Sequence, residues 1–240
     1  MLDYSVIIPA YNEALHLPDT LQNLQKAMAE AEAEPWRGEI IVVDNNSTDR
    51  TAEIAREAGA RVVFEAHNQI SRARNCGGSA ANSPNLIFLD ADTRISPEIL
   101  RKSLKMLLSG KYYGGGIKIG FTEDTPLLIR LFTKLWNSHA GIRKWVAGCY
   151  IFCLKEAFDD IGGFREDIYA AEEIYYAKSM AKWGRKRQLD FGYISSEFIE
   201  TSPRKINEHA TLKLLAIMLL LGTFPFLQKS KRMCKIWYNR

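Results

Sequence analysis

The feature that most restricts this 240-residue chain is an alternation in its first 110 residues, where short unbroken apolar runs are separated by segments of helical periodicity. YSVII (4–8), EIIVV (39–43), RVVF (61–64) and LIFL (86–89) are short enough for strands and continuous enough to be buried on both faces. Between the first two, Leu17, Leu21, Leu24 and Met28 recur at spacings of four, three and four, one stripe of an amphipathic helix. STDRTAEIAREAG predicts a second helix with Ser47 or Thr48 as N-cap and Gly59 as its stop. A third is expected around Ser71–Ala81. Ser96 and Pro97 occupy the N-cap and N1 positions of a fourth, which Gly110 ends. The pattern is that of an α/β fold, a mostly parallel sheet flanked by helices. Right-handed crossovers put every strand-to-helix loop at one edge, where such sheets bind ligands.

The loops at that edge are PAYNEA (9–14), DNNSTD (44–49) and DADT (90–93). Any one of them is ordinary turn chemistry, because Asp and Asn favour turns. Together they gather Glu13, Asp44, Asp90 and Asp92 on one rim. In extended chain, residues two apart point the same way, so the carboxylates of Asp90 and Asp92 reach a common cation. Without a positive partner, two neighbouring acids at the end of a buried strand are costly. All-oxygen ligation suits Mg2+ or Mn2+, and magnesium commonly divides its shell between carboxylates and substrate phosphates. A phosphorylated substrate follows. No GxGxxG follows the first strand and no GxxxxGK[ST] occurs, so neither a dinucleotide fingerprint nor a P-loop holds it.

A composition of 47% hydrophobic and 25% charged residues is that of an ordinary globular chain with one core. The four cysteines form no CxxC pair, and Cys149 and Cys153 are expected as small core residues on one face of a strand. MLDYSVIIPAY lacks the basic n-region of a signal peptide, so a cytoplasmic setting is expected. The net charge of +4 is unevenly placed. Residues 204–240 carry eight Lys/Arg against one Glu, a net +7, leaving −3 on residues 1–203. LKLLAIMLLLGTFPFLQ (212–228) is short for a spanning helix, contains Lys213 and is broken by Gly222 and Pro225. With the following basic residues, Trp237 and Tyr238, it predicts an amphipathic helical tail that packs on the domain or, the reading favoured by the basic flank, lies in peripheral contact with anionic lipid on the inner face of a membrane. Nucleic acid is not expected as a partner, since the main domain is slightly acidic.

VIIPAYNEA, VVDNNSTDRT, ARN (73–75), FLDAD and GGF…AAEE together resemble the family 2 glycosyltransferases of the GT-A fold, over roughly residues 4–200. The resemblance implies a Rossmann-like GT-A domain at 1–203, with a nucleotide-binding half (1–110) and an acceptor-binding half (111–203), followed by the tail at 204–240. It implies that Pro9, Ala10, Tyr11, Glu13 and Asp44 hold the nucleotide, with the ARN segment and the preceding Arg72 against it. Asp90 would lie nearer the sugar nucleotide and Asp92 on the metal, Mn2+ or Mg2+. Many relatives carry two acids after the second strand, where this chain has Asp44, Asn45 and Asn46. The family's Glu-Asp pair is here Glu172 and Glu173, and position favours Glu173 as the base. The alternative is that both acids merely stabilise a helix N-terminus. Arg204, with Lys205, is a candidate for closing over the pyrophosphate, and His209 for the metal shell.

The activity so implied is inverting transfer of a sugar from a nucleoside-diphosphate sugar, UDP-linked before GDP-linked, to an acceptor hydroxyl on a lipid-linked or membrane-proximal molecule. Trp136, His139 and Trp145 are candidates for an acceptor wall. A sugar nucleotidyltransferase is the weaker alternative, because PAYNEALHLP has no Gly-rich phosphate loop. A non-catalytic sugar-nucleotide-binding or membrane scaffold module is the other.

Overall fold

Alternate residues of the central strands feed two separate cores. Val6, Ile8, Val42, Ile87 and Leu89 belong to one buried cluster, and Ile7, Ile41, Val43, Leu86 and Phe88 to another. That is the outcome of the unbroken apolar runs: a strand with both faces covered leaves few positions for polar residues. In the computed structural model, residues 1–31, 36–120, 125–201, 216–217, 220–221, 223–235 and 238 are described.

The first half runs β1 (Tyr4–Ala10), α1 (Leu17–Ala31), β2 (Gly38–Asp44), α2 (Thr51–Glu57), β3 (Arg61–Phe64), α3 (Ile70–Ala80), β4 (Asn85–Leu89), β5 (Thr93–Arg94) and α4 (Pro97–Leu108). The second continues β6 (Tyr112–Gly120), α5 (Leu127–Arg143), β7 (Tyr150–Leu154), α6 (Lys155–Ile161), α7 (Glu172–Lys186) and β8 (Asp190–Thr201). The sheet order is β3-β2-β1-β4-β7-β6-β8-β5. β3, β2, β1 and β4 are mutually parallel, β7 is antiparallel to both β4 and β6, and β8 is parallel to β6. The sheet is therefore mixed rather than uniformly parallel. Leucines of α1 and α4 complete the first cluster, and residues of α3, α6 and α7 the second.

The glycines of β6 are required by packing. A Cβ on Gly115 would stand 1.8 Å from the carbonyl oxygen of Gly192 on the neighbouring strand β8. Backbone cannot yield as a flexible side chain does, so Gly115→Ala is expected to destabilise the fold by about 2–3 kcal/mol. Urea unfolding with an unchanged m-value is the check.

Two local expectations are corrected. Ser47 and Thr48 do not cap α2. The Ser47 hydroxyl accepts from the Asn12 N–H at 3.1 Å, and the Thr48 N–H donates to Asn12 Oδ1 at 2.8 Å, so both lock the first loop to the second. Cys149 and Cys153 are buried free thiols as expected, but not on one face. β7 begins at Tyr150, which leaves Cys149 in the preceding turn and in the first cluster, while Cys153 lies in the second. The cap at Ser96 forms, its hydroxyl accepting from the Ile99 N–H at 3.2 Å.

Among the described C-terminal residues, 216–217, 220–221 and 223 are α-helical, and a short 3-10 helix, Pro225–Lys229, and turns follow; the rest of the expected amphipathic tail lies outside the described residues. The described part packs on the domain. The Tyr169 N–H donates to the Gln228 carbonyl at 2.7 Å, Lys229 pairs with Asp167 at 3.4 Å, and Ala170, Leu221 and Cys234 are buried together. Among the described residues no helix is long and apolar enough to cross a membrane.

Candidate active site

The three loops at the carboxyl edge are cross-braced. Asn12 has a positive φ of 51°, and the Glu13 N–H donates to the Thr51 hydroxyl at 2.8 Å. Burial works against the Asp49 carboxylate, but hydrogen bonds from Thr51 and Ala14 outweigh it and hold it below its ordinary value. The DAD turn is tied at three points. Asp90 N–H donates to the Cys149 carbonyl at 3.1 Å, Thr93 N–H to the Asp90 carbonyl at 3.1 Å, and the Thr20 hydroxyl to the Ala91 carbonyl at 2.8 Å. Carboxylates carried on turns so fixed are positioned before any ligand arrives.

Pro9, Ala10, Tyr11, Glu13, Asp90 and Asp92 line a single cleft with Asn45, Asn68, Ile70, Ala73, Ala91 and Tyr238. Asp44 stands at the end of β2, opposite Ala10 in register, with one carboxylate oxygen accepting the Ser47 N–H at 2.9 Å. The cleft wall on that side is Asn45, not Asp44. Arg72 is not in the wall either and pairs with Glu166 at 3.1 Å. Arg204, Lys205 and His209 lie outside the described residues.

Arg74, expected only as part of the ARN segment against the nucleotide, is a hub that the sequence reading did not foresee. Its guanidinium is buried and donates to Glu172 Oε1 at 2.7 Å, Asp90 Oδ1 at 3.1 Å and the Gly148 carbonyl at 2.9 Å. One side chain thus joins α3, the tip of β4, the start of α7 and the turn before β7. Burial opposes its charge, but Asp90, Glu172 and Glu173 outweigh that and hold it protonated above its ordinary value. A signal existed. In ISRARNCGGSA, Ile70, Ala73, Arg74, Gly77 and Gly78 share one helical face, and a charge on a face of small and apolar residues needs partners.

The quoted ARN and GGF motifs turn out to interlock. Asn75 Nδ2 donates to the Phe164 carbonyl at 2.8 Å, and its Oδ1 accepts the Phe164 N–H at 2.7 Å. Gly163 has φ 70°, and a Cβ there would meet Asn75 Oδ1 at 2.4 Å. Only glycine fits both demands. Phe164 then stacks on Tyr176 at 3.9 Å between centroids, and Arg74 lies 5.3 Å over the Phe164 ring.

Ala171, immediately before the two acids, is left-handed at φ 60°. A non-glycine residue in that region costs energy and is held there by its surroundings. Glu172 is buried against Arg74, whereas Glu173 is half-buried, its Cδ 3.9 Å from where a Gly148 Cβ would stand and so beside the Arg74 guanidinium. Burial, with the Glu172 charge adding to it, pushes the Glu173 carboxyl up from 4.5 to about 8, although Arg74 works the other way. The adjacent acids have different environments: Glu172 is paired with Arg74, and Glu173 carries the raised carboxyl.

Tyr238 was expected at a lipid interface and instead lines the cleft, its ring edge-on to Tyr169 at 5.6 Å; Trp237 lies outside the described residues. The reason is local: Tyr169 and Ala170 offer an apolar seat beside the acid pair. Trp136 packs on Trp145 at 5.2 Å, and exposed His139 sits near the Leu135 carbonyl, 2.9 Å from Nδ1. None of these three lines the cleft. Among the described residues no group of three or more His, Cys, Asp or Glu is assembled for a metal.

Comparison with known proteins bears on this architecture. The 4,4'-diaponeurosporenoate glycosyltransferase of Staphylococcus haemolyticus is 37% identical over 122 residues, 48% of this chain and 31% of that protein. Among solved structures, the mannosyltransferase PcManGT from Pyrobaculum calidifontis, in complex with GDP-Man and Mn2+, is similar with TM-score 0.67 and 20% identity, covering 82% of this chain and 56% of that one. S. aureus TarS 1-349 in complex with UDP-GlcNAc gives TM-score 0.63 and 18% identity, covering 83% of this chain and 58% of that one. At such identities these two likenesses concern the fold, which is GT-A-like. The chain spans 31% to 62% of the length of the first curated relatives it matches. The model of glycosyl transferase family 2 matches residues 5–162, well over half of the sequence and all of the strands that build the cleft, and the chain belongs to that family.

Proposed function

We propose that the chain is an inverting, metal-dependent glycosyltransferase that moves a sugar from a nucleoside-diphosphate sugar to an acceptor hydroxyl. The observation that carries the reading is the placement of Glu173, with its raised carboxyl, beside the Arg74 hub, one of whose partners, Asp90, shares a cleft with Asp92. UDP-sugars are the first choice of donor and GDP-sugars the second; similar folds were solved with UDP-GlcNAc and with GDP-Man.

In this reading Pro9, Ala10, Tyr11 and Glu13 receive the nucleotide, with Asp44 behind them, and residues 1–110 form the donor half. Residues 111–203 shape the acceptor half. As the family motif implies, Asp92 is the main candidate ligand for Mn2+ or Mg2+, with Asp90, which also accepts from Arg74, the second. Two carboxylates suit a cation that takes its other ligands from diphosphate oxygens and water. When bound, that ion supplies positive charge against the leaving diphosphate. Glu173 takes the proton from the acceptor hydroxyl as its oxygen attacks the anomeric carbon. Glu172, fixed by Arg74, keeps the neighbouring carboxyl in place. Arg72 remains a proposed donor contact, Arg204, outside the described residues, is proposed to reach the pyrophosphate, and the acceptor is proposed to be lipid-linked or membrane-proximal.

Thermal denaturation with UDP- and GDP-sugars, with and without manganese, tests the donor side. At a hundred times Kd a ligand stabilises the native state by about 2.7 kcal/mol. Asp92→Ala is expected to keep its ligand-free Tm and lose the manganese-dependent part of that gain. A full gain in the variant would remove Asp92 from the metal.

A further inference from the structure

Helix α5 buries Ile129, Thr133 and Ala140 against the domain and leaves its opposite side bare. Leu127, Leu131, Leu135 and Ile142 on that side are 56% to 83% exposed, and Leu128 and Phe132 are exposed beside them. At about 100° per residue these six fall within an arc of roughly 140°, interrupted by Ser138 and His139. Exposed leucines scattered over a surface need no explanation, but a contiguous helical stripe does.

The charges around the stripe say what covers it. Arg130 and Lys134 lie along one border of the arc and Arg143 along the other. From Thr125 to Leu154 the sequence has four Lys/Arg (Arg130, Lys134, Arg143 and Lys144) and no Asp or Glu. On the first border Arg130 and Lys134 share a shallow depression with Lys118 of β6, whose polar lining includes Asn137 and Ser138. The helix is held rigidly to the domain. Asn137 accepts the Ile119 N–H at 3.0 Å and donates to the Ile119 carbonyl at 2.8 Å.

We infer that α5 is a membrane-docking helix: its leucine stripe enters the headgroup boundary of an anionic bilayer while Arg130, Lys134 and Arg143, with Lys118, engage lipid phosphates. An apolar face bordered by cations is the form of an interfacial helix, and long basic side chains reach phosphate while their stems stay on the apolar surface. A protein partner would need acids to match these borders and would leave the stripe without its bilayer complement. The placement has a consequence for the site. The turn that follows α5 carries Gly148 and Cys149, whose carbonyls accept from Arg74 and Asp90. A bilayer under α5 therefore lies close along the chain to the acid cluster, on the acceptor side. The inference bears on the acceptor in the reading above but stands without it.

Cosedimentation of the full chain with vesicles of phosphatidylglycerol and phosphatidylcholine in equal parts, and of phosphatidylcholine alone, is the test. Wild type should bind the anionic vesicles and release them as salt is raised. The triple variant Arg130→Gln, Lys134→Gln, Arg143→Gln should lose affinity by on the order of a hundredfold. Leu131→Gln with Leu135→Gln should lose it as well, and both variants, altered at exposed positions, should keep the wild-type Tm and donor-induced stabilisation. Absence of wild-type binding overturns the inference. So does unchanged binding by the charge variant, which would place the contact in the basic C-terminal segment. So does conversion of a dimer to a monomer by the leucine variant, measured by sedimentation without vesicles, which would make a second copy the occupant.

Discussion

Glu173→Gln is expected to lower kcat by about 10²–10⁴ while the manganese-dependent donor stabilisation stays at the wild-type level. Gln preserves the size and hydrogen-bonding reach of the side chain and removes only its capacity to take a proton. Glu172 is the adjacent candidate, but its carboxylate is committed to Arg74 at 2.7 Å; burial raises the proton affinity of Glu173. The pH profile sharpens the expectation. A base must be ionised to act, so kcat/KM should rise with pH through a value near 8 rather than near 4.5.

Stability moves in the opposite sense. In the folded chain Glu173 retains its proton at pH values where the unfolded chain has lost it, so stability falls as pH rises between 4.5 and about 8. The Gln variant lacks that loss and should be at least as stable as wild type at the alkaline end. An inactive variant of undiminished stability excludes unfolding as the cause, and full turnover would move the base elsewhere.

Arg74→Met is expected to cost about 3–5 kcal/mol, because it leaves the Glu172 carboxylate buried without its cation. Denaturant unfolding measures the cost. The companion double variant with Glu172→Gln should recover part of it, since the stranded charge is then gone. Equal stability of Arg74→Met and wild type would mean that water already solvates this cluster. Activity is expected to fall in both variants, because Arg74 also fixes Asp90 at the cleft.

The parallel half of the fold was legible because its signals are local and repetitive. Unbroken apolar runs at 4–8, 39–43, 61–64 and 86–89 became β1 to β4, and the Ser96 cap and Gly110 stop bounded α4, with Gly110 at φ 68°. The antiparallel insertion of β7 between β4 and β6 was not legible, since strand order follows from long-range pairing that no window of sequence contains. The convergence of PAYNEA and DAD on one cleft could be read from topology alone. The face of α3 singled out Arg74 from Arg72, but its partners could not be read, because Glu172 and Asp90 come from elements distant in the chain.

By itself the sequence determined the periodicities, the edge at which the loops gather and the acids those loops carry, all consequences of neighbouring residues and chain geometry. Only the tertiary structure decided that Arg74 would bind Glu172 and Asp90 from elements far apart in the chain, that burial would raise the Glu173 carboxyl, that Tyr238 would fold back into the cleft, and that α5 would keep its leucines outside. Burial and charge pairing are properties of a packed environment, and a side chain acquires them only when distant segments meet.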